Sequence, residues 1–255
     1  MKIDDINSIG VLGAGVMGAG IAQCAIQAGF KTVVRDLNQG ICDAAIETII
    51  GGRFGFAKAV EMGKMSQAGM DHALSMLNLT TDVADLKGCD LIIEAIGGGT
   101  DGATENKELK LSVWKEMDDL VKSDAVFASN TSMFTITDLA AATQRPERFV
   151  GMHLFSPANI MKLVEVTRTR DTLDEVVALI VALSERWGKT PIVLKDVPGD
   201  KGFVGNRIMA AVRREANQII EEGVCSREEI NLAMTLGFRW PAGPFPGGAG
   251  KRGWN

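Results

Sequence analysis

Two ionisable side chains in neighbouring apolar segments are the first candidates for chemistry. His153 ends the run FVGMH, and Glu165 lies in the run IMKLVEV that follows. A carboxylate among apolar residues needs a partner, and an imidazole suits it, because the carboxylate fixes the tautomer and stabilises the imidazolium that forms on proton uptake. The pair therefore predicts a general base, although structural roles are the commoner interpretation of a single His and a single Glu. The other histidine, His72, lies in a helical pattern and is expected at the surface without a role.

A glycine-rich turn near the start of the chain is a candidate anion site. Gly13, Gly15 and Gly18 form the pattern GxGxxG around Val16 and Met17, between a predicted strand and a predicted helix. In that setting the glycines permit a tight turn, close approach of the backbone to a pyrophosphate and close packing of the helix, whose N-terminus offers N–H groups to phosphate. The pattern alone is weak, since many glycine-rich turns bind nothing. With the strand and the helix on either side, it predicts dinucleotide binding.

Asp36 indicates which dinucleotide the turn would bind. It stands at the end of the second predicted strand, where a carboxylate can accept hydrogen bonds from the adenosine ribose hydroxyls and repel a 2′-phosphate. NAD is therefore favoured over NADP. Arg35 directly precedes it, but neighbouring strand residues point to opposite faces, so the arginine need not contact the ribose.

The segments between these residues must form a frame that brings them together. Short apolar runs alternate with longer helical patterns, which is typical of an α/β fold with a Rossmann-type, doubly wound and mostly parallel sheet. Ligands of such sheets gather outside the carboxyl ends of the strands, where a base should also lie. Strands are predicted at residues 8–12, 31–35, 90–95, 125–128, 149–153, 160–166 and 191–194, and helices include 21–28, 136–142 and 173–187.

The pattern changes after the turn-forming stretch at residues 196–200. Beyond it, apolar residues recur every three or four positions, which predicts a helix. We therefore divide the chain into a cofactor domain, residues 1–198, and a small all-helical domain, residues 199–255. The second domain is near the lower size limit for independent folding, so it is expected to dock on the first domain or on a second subunit. The recurring apolar residues are Ile208, Val212, Ala216 and Ile219.

Composition restricts the class of protein. The chain has 255 residues, 46% of them hydrophobic, and a formal net charge of −5, so it should form a packed core without the basic surface that nucleic acid binding requires. No apolar run predicts a membrane span, and the first residues lack the pattern of a secretion signal. The cysteines form no metal or disulfide pattern, which favours reduced thiols, a cytoplasmic location and no bound metal. They are Cys24, Cys42, Cys89 and Cys225.

The chain resembles the 3-hydroxyacyl-CoA dehydrogenase family. The segment RFVGMHLFSPANIMKLVEV is the most specific match, and VLGAGVMGAGIAQ, LIIEAI, ASNTS and GFVGNRI extend the resemblance, in the family's order, over nearly the whole chain. The resemblance implies reversible, NAD-dependent oxidation of an (S)-3-hydroxyacyl-CoA, of short chain such as 3-hydroxybutyryl-CoA. It also implies a place in β-oxidation of fatty acids and a homodimeric assembly, with the second domain serving substrate binding and dimerisation.

The resemblance assigns roles to residues of the reaction centre. It makes His153 the general base and Glu165 the residue that orients it. Ser132 and Asn206 would hold the reacting oxygen and nearby substrate atoms. For Ser132, capping of the predicted helix at residues 136–142 is an alternative role.

The resemblance also assigns residues to the cofactor and to the acyl-CoA. Glu105 and Lys110 match the family's contacts to the nicotinamide-side ribose. Arg53, Lys58 and Lys64 lie in the helical arm where the family holds the 3′-phosphate of CoA, although a solvated helix face is the more ordinary interpretation of any one of them.

Three segments depart from the family pattern. Residues 97–104, GGGTDGAT, form a longer and more glycine-rich link than in most relatives, and VPGDKGFVGN adds residues before the predicted helix. The last residues, PGGAGKRGWN, do not continue the family's acidic, apolar helix. Two alternatives therefore stay open: a dehydrogenase of a free hydroxy acid or sugar acid, and an NAD-binding homologue with impaired catalysis.

Overall fold

The computed structural model describes residues 2–97 and 105–246. The chain forms two compact units, residues 1–200 and 201–255. The predicted boundary lies between residues 198 and 199, and the division of cofactor and substrate binding between the two domains stays a prediction. Most of the glycine-rich link and the last nine residues of the chain lie outside the described residues.

The first unit is built on one eight-stranded sheet in the order β3-β2-β1-β4-β5-β6-β7-β8. Strand β7 is antiparallel to β6, and all other neighbouring strands are parallel. The predicted doubly wound, mostly parallel sheet is therefore confirmed. The strands are β1 (Ser8–Leu12), β2 (Lys31–Arg35), β3 (Leu77–Thr80), β4 (Leu91–Glu94), β5 (Val126–Ser129), β6 (Phe149–Leu154), β7 (Leu163–Arg168) and β8 (Thr190–Lys195).

Helices cover the sheet in the first unit, and the regular elements in the described part of the second unit are also helical. Side-chain caps mark several starts: Asn38, Ser66 and Asn106 each accept a backbone N–H of the following helix. The first unit contains α1 (Val16–Gln27), α2 (Gln39–Gly51), α3 (Phe56–Glu61), α4 (Gln67–Ser75), α5 (Lys107–Leu120), α6 (Ile136–Ala140) and α7 (Asp174–Arg186). The second contains α8 (Val204–Glu221), α9 (Arg227–Leu232) and a π-helical turn (Ala233–Gly237).

The core lies between the sheet and its helices. All residues of β4, β5 and β6 are buried, because helices cover both faces of a parallel sheet. Trp114 of α5 packs against Phe127 and Phe149 of adjacent strands, with ring centroids 5.0 and 4.7 Å apart. This packing fixes α5, whose first turn lies near the carboxyl ends of the strands.

Two features of the sheet differ from the sequence prediction. The edge strand β3 was not predicted, because its four residues directly follow the helical pattern of α4 and are only partly buried. Strand β7 begins at Leu163 rather than at residue 160. Its antiparallel direction has a simple cause: a connection of residues 155–162 is too short for the crossover of about a dozen residues that a parallel pair needs.

Candidate active site

The carboxyl ends of β1, β2, β4, β5 and β6 meet at one edge of the sheet, because these strands are parallel. We call this the carboxyl edge. Strand β7 runs the other way, so it begins at the carboxyl edge. The glycine turn, Asp36, Ser132, His153 and Glu165 all lie at or just beyond these strand ends, as the alternation of strands and helices predicted.

His153 and Glu165 are direct partners across the β6–β7 ladder. Residues opposite each other in an antiparallel pair share a face of the sheet, and Nδ1 of His153 lies 2.7 Å from Oε2 of Glu165. The exposed fraction is 5% for the histidine and 0% for the glutamate. In the tautomer that donates Nδ1–H to the carboxylate, Nε2 carries the lone pair that a general base needs. The Phe155 ring packs against the imidazole, with centroids 4.5 Å apart.

The glycine turn joins β1 to α1 with little room for side chains. Gly13 has a φ of +93°, and a Cβ on Gly18 would lie 1.8 Å from the Gly13 carbonyl oxygen. Gly15 differs: a Cβ there would meet no described atom within 4 Å beyond its chain neighbours. Open space beside the backbone, next to the N-terminus of a twelve-residue helix, fits the approach of a pyrophosphate.

Asp36 follows β2 and faces the glycine turn. Its Oδ2 accepts the Ala14 N–H at 2.8 Å, and its Oδ1 accepts the Leu37 N–H at 2.7 Å. The carboxylate is thus held beside the turn that would carry a dinucleotide. Arg35 donates instead to the Thr81 carbonyl beyond β3.

Glu105 holds Ser132 from the start of α5. Its Oε1 accepts both the backbone N–H of Ser132, at 2.8 Å, and the Ser132 hydroxyl, at 2.7 Å. Burial alone would raise the pKa of Glu105, but Lys110 and hydrogen bonds from Ser132 and Thr131 outweigh burial and lower it. The carboxylate is therefore ionised at neutral pH. Its Oε2 is buried and accepts no hydrogen bond from the residues that the structure describes.

The alternative role of Ser132 as a helix cap is wrong. The N-cap of α6 is Thr135, and its side chain makes no capping hydrogen bond. The first N–H groups of α6 are accepted instead by Asp196, from the segment after β8, at 3.2 Å for Ile136 and 2.8 Å for Thr137.

A buried carboxylate that the sequence prediction missed lies behind Glu105. Glu94 ends β4 and contacts Lys110, which also lies 3.1 Å from Oε2 of Glu105. The exposed fractions of Glu94 and Lys110 are 0% and 1%. The signal for Glu94 was present in the run LIIEAI, where an acidic residue ends a fully apolar strand.

The candidate acyl-CoA residues lie on an exposed arm. Arg53 follows α2, Lys58 lies in α3 and Lys64 follows it, and all three side chains are exposed. Lys58 forms an ion pair with Glu61 at 2.8 Å.

The base of this arm is tied to the carboxyl edge through Phe54. The Phe54 carbonyl accepts from Gln23 of α1, at 3.0 Å, and from Asn159 of the β6–β7 connection, at 2.9 Å. The arm therefore begins beside the connection that follows His153.

The remaining candidate, Asn206, belongs to the second unit. It is the third residue of α8 and is exposed, as is Ile208 of the apolar pattern that predicted this helix. Of the residues in that pattern, Ala216 is buried.

The comparisons with known proteins identify the family. Residues 8–197 match the family model of the 3-hydroxyacyl-CoA dehydrogenase NAD binding domain, and residues 202–247 match the C-terminal domain of the same family. The chain belongs to the 3-hydroxyacyl-CoA dehydrogenase family. It is therefore an NAD-dependent oxidoreductase, and the resemblance seen in the sequence is confirmed.

Individual members of the 3-hydroxyacyl-CoA dehydrogenase family resemble the chain over most of its length. A probable 3-hydroxybutyryl-CoA dehydrogenase of Deinococcus radiodurans is 41% identical over 239 residues, which are 92% of this chain and 80% of that protein. The crystal structure of (S)-3-hydroxybutyryl-CoA dehydrogenase from Ralstonia eutropha has a TM-score of 0.86 and 38% identity, over 94% of this chain and 80% of that one.

A solved structure with another substrate is also similar. It is the 5-dehydrogenase of 5-formyl-3-hydroxy-2-methylpyridine 4-carboxylic acid (FHMPC), an NAD+-dependent dismutase. Its TM-score is 0.77 and its identity 30%, over 92% of this chain and 71% of that one. Its name describes a substrate that is a pyridine carboxylic acid rather than an acyl-CoA.

Among the described residues, no group of three or more His, Cys, Asp or Glu is placed to hold a metal ion. In the same part of the chain, no helix is long and apolar enough to cross a membrane.

Proposed function

We propose that this member of the 3-hydroxyacyl-CoA dehydrogenase family oxidises an (S)-3-hydroxyacyl-CoA reversibly to the 3-ketoacyl-CoA, with His153 as the general base. The observation that carries the proposal is the 2.7 Å contact between Nδ1 of His153 and Oε2 of Glu165 at the carboxyl edge. The similar proteins named 3-hydroxybutyryl-CoA dehydrogenases favour a short acyl chain.

The cofactor is NAD, which when bound accepts the hydride that leaves C3 of the substrate. Residues of the glycine turn, Gly13, Gly15, Val16, Met17 and Gly18, would hold the pyrophosphate at the start of α1. Asp36 would accept hydrogen bonds from the adenosine ribose, and Glu105, whose Oε2 has acceptor capacity to spare, would accept from the nicotinamide-side ribose.

His153 then moves the proton. Its Nε2 takes the proton of the substrate hydroxyl, and the same nitrogen returns it in the reverse direction. Glu165 is a positioning residue: it fixes the ring and stabilises the imidazolium, and burial of both groups strengthens their attraction. Ser132 and Asn206 would hold the reacting oxygen.

The acyl-CoA would be held along the exposed arm. Arg53, Lys58 and Lys64 would face the 3′-phosphate of CoA, where each cation can be attracted to the phosphate charge. Lys58 would exchange its surface ion pair with Glu61 for the phosphate, and such an exposed pair contributes at most about 1 kcal/mol to stability.

A second candidate is a dehydrogenase of a free hydroxy acid or sugar acid. It is favoured by the similarity to FHMPC 5-dehydrogenase, a relative whose name describes a smaller carboxylic acid. The reaction centre would be unchanged, because His153 and Glu165 act on the hydroxyl and not on the CoA.

Loss of NADH absorbance in two reactions separates these candidates. We expect rapid NADH oxidation with acetoacetyl-CoA and a much lower kcat/KM with free acetoacetate. Equal kcat/KM values for the two would contradict the acyl-CoA assignment. Tight NADH binding without turnover of either compound would indicate a homologue with impaired catalysis.

A further inference from the structure

Lys110 is enclosed by oxygens of the protein. Its Nζ donates to Oε1 of Glu94 and to the Ile96 carbonyl, the latter at 2.8 Å, and lies 3.1 Å from Oε2 of Glu105. An ammonium has three N–H groups, and the hydrogen bonds to Glu94 and Ile96 use two of them.

Glu94 uses both of its carboxylate oxygens inside the protein. Oε1 accepts from Lys110 and from the Ile96 N–H, at 2.7 Å, while Oε2 accepts from the Ser129 hydroxyl, at 2.6 Å. Burying a charged pair is costly, and apolar residues of similar volume often give an equally stable core. Stabilisation of the fold therefore does not by itself explain why a buried carboxylate stands at position 94.

The ionic contacts continue from Lys110 to Ser132. Lys110 attracts Oε2 of Glu105, which leaves Oε1 to accept both hydrogen bonds from Ser132. A serine hydroxyl has one hydrogen, and here that hydrogen points to Glu105. The Ser132 hydroxyl is thus held beside Glu105, and it can turn its hydrogen to the reacting oxygen while the Ser132 N–H keeps its hydrogen bond to Oε1.

We propose that Glu94 is a positioning residue of the dehydrogenase, which acts through Lys110 on Glu105 and thereby fixes the Ser132 hydroxyl. Lys110 transmits this effect, because its Nζ contacts both Glu94 and Glu105. The inference rests on the proposed function, because that function assigns Ser132 to the substrate and Glu105 to the cofactor.

A double-mutant cycle of Glu94→Gln and Glu105→Gln tests the inference. We expect Glu94→Gln to lower kcat with acetoacetyl-CoA by about 10- to 100-fold, as misplacement of a substrate-positioning group does. NADH affinity, measured by fluorescence titration without substrate, should also fall. The double variant should match Glu105→Gln to within about twofold in both quantities, because residues that act through one another are not additive.

Asp90→Asn is the matched control. Asp90 is also a buried carboxylate paired with a lysine, Lys122, but it precedes β4 at the opposite edge of the sheet. The Asp90→Asn substitution should lower the melting temperature, while kcat and NADH affinity stay within about twofold of the wild type.

The inference is wrong if Glu94→Gln behaves like Asp90→Asn, or if its effects multiply with those of Glu105→Gln. Turnover by the wild type shows in either case that the dehydrogenase assignment stands. A wild type that does not turn over acetoacetyl-CoA would refute the proposed function, and the NADH titrations would still decide whether Glu94 acts through Glu105.

Ser129→Ala provides a milder variant if Glu94→Gln does not fold. It removes the hydrogen bond to Oε2 of Glu94 and the longer one, 3.2 Å, that the Ser129 hydroxyl accepts from the Thr131 N–H. A smaller loss of kcat that disappears in the Glu105→Gln background is the expected result, and additive losses would contradict the inference.

Discussion

The charge of Glu165 matters more than its shape. The carboxylate is fully buried, and it lies against Nδ1 of an imidazole that must gain a positive charge during the proposed proton transfer. A neutral amide in its place can hold the ring but gives the imidazolium no counter-charge. His153 and Glu165 could be paired from the sequence because each lies in a strand with a clear apolar pattern.

Glu165→Gln should therefore lower kcat by about 100-fold or more, within the range that general bases contribute. The KM for acetoacetyl-CoA should change by less than about threefold, because Glu165 is not assigned to any contact with CoA. Steady-state kinetics of the purified variant measure both constants. A kcat close to that of the wild type would remove Glu165 from the mechanism.

The contacts of Ser132 and Lys110 could not be predicted from the sequence. The family resemblance placed Ser132 on the substrate and Lys110 on the ribose, but it could not show that Glu105 accepts the Ser132 hydroxyl or that Lys110 is enclosed by Glu94 and Ile96. Such contacts depend on how α5 packs on the ends of β4 and β5, which no local pattern encodes.

Two carboxylates that follow β8 hold the N-terminus of α6. Asp196 accepts the Ile136 and Thr137 N–H groups and the Thr137 hydroxyl, while Asp200 accepts the Thr135 N–H and pairs with Lys107 of α5. They secure α6, which follows Ser132 in the chain. The sequence predicted α6 but not these contacts, because they join segments about sixty residues apart.

Asp196→Ala should lower the free energy of unfolding by about 1 kcal/mol, as removal of a helix-capping side chain does. Urea titration of the variant measures the change. The exposed Asp119 of α5 serves as a control, since Asp119→Ala should shift the free energy of unfolding by less than about 0.5 kcal/mol. Equal effects of the two substitutions would show that Asp196 does not stabilise α6.

The direction of β7 decides where Glu165 lies. Because β7 is antiparallel to β6, Glu165 lies at the carboxyl edge. A parallel strand would have placed the residue toward the opposite edge. The sequence predicted the strand. Its antiparallel direction follows from the connection at residues 155–162, which is too short for a parallel crossover. The edge strand β3 carried too weak a signal in its four residues.

The whole molecule combines a well-buried first unit with a second unit that exposes large apolar side chains. Ile208, Leu236 and Phe238 are 58%, 78% and 73% exposed. Exposed apolar surface is a common feature of subunit interfaces, and the homodimer stays a prediction. The fold could be predicted because the alternation of strands and helices repeats along the sequence. The assembly could not, because a subunit interface has no such repeated pattern in the sequence.

Acid should destabilise the first unit. Burial alone would raise the pKa values of Asp90, Glu105 and Asp200, but neighbouring lysines and hydrogen-bond donors outweigh it and lower all three. Each group then binds a proton more weakly in the folded than in the unfolded chain. The resulting stability is present above the ordinary pKa values, 3.8 for Asp and 4.5 for Glu, and is lost as the pH falls below them.

Urea titrations at a series of acidic pH values measure this loss. Glu105→Gln should weaken the pH dependence of the free energy of unfolding, since it removes one of the three groups. A variant with the same pH dependence as the wild type would show that Glu105 does not contribute to it.

The assignment of His153 as the general base is tested most directly by comparing His153→Gln with His72→Gln in the NADH-dependent reduction of acetoacetyl-CoA. His72 is exposed on α4 and controls for loss of a histidine as such. We predict that His153→Gln keeps its NADH affinity but loses about 100- to 10,000-fold in kcat, while His72→Gln matches the wild type. Turnover by His153→Gln within about twofold of the wild type would contradict the assignment of His153 as the general base.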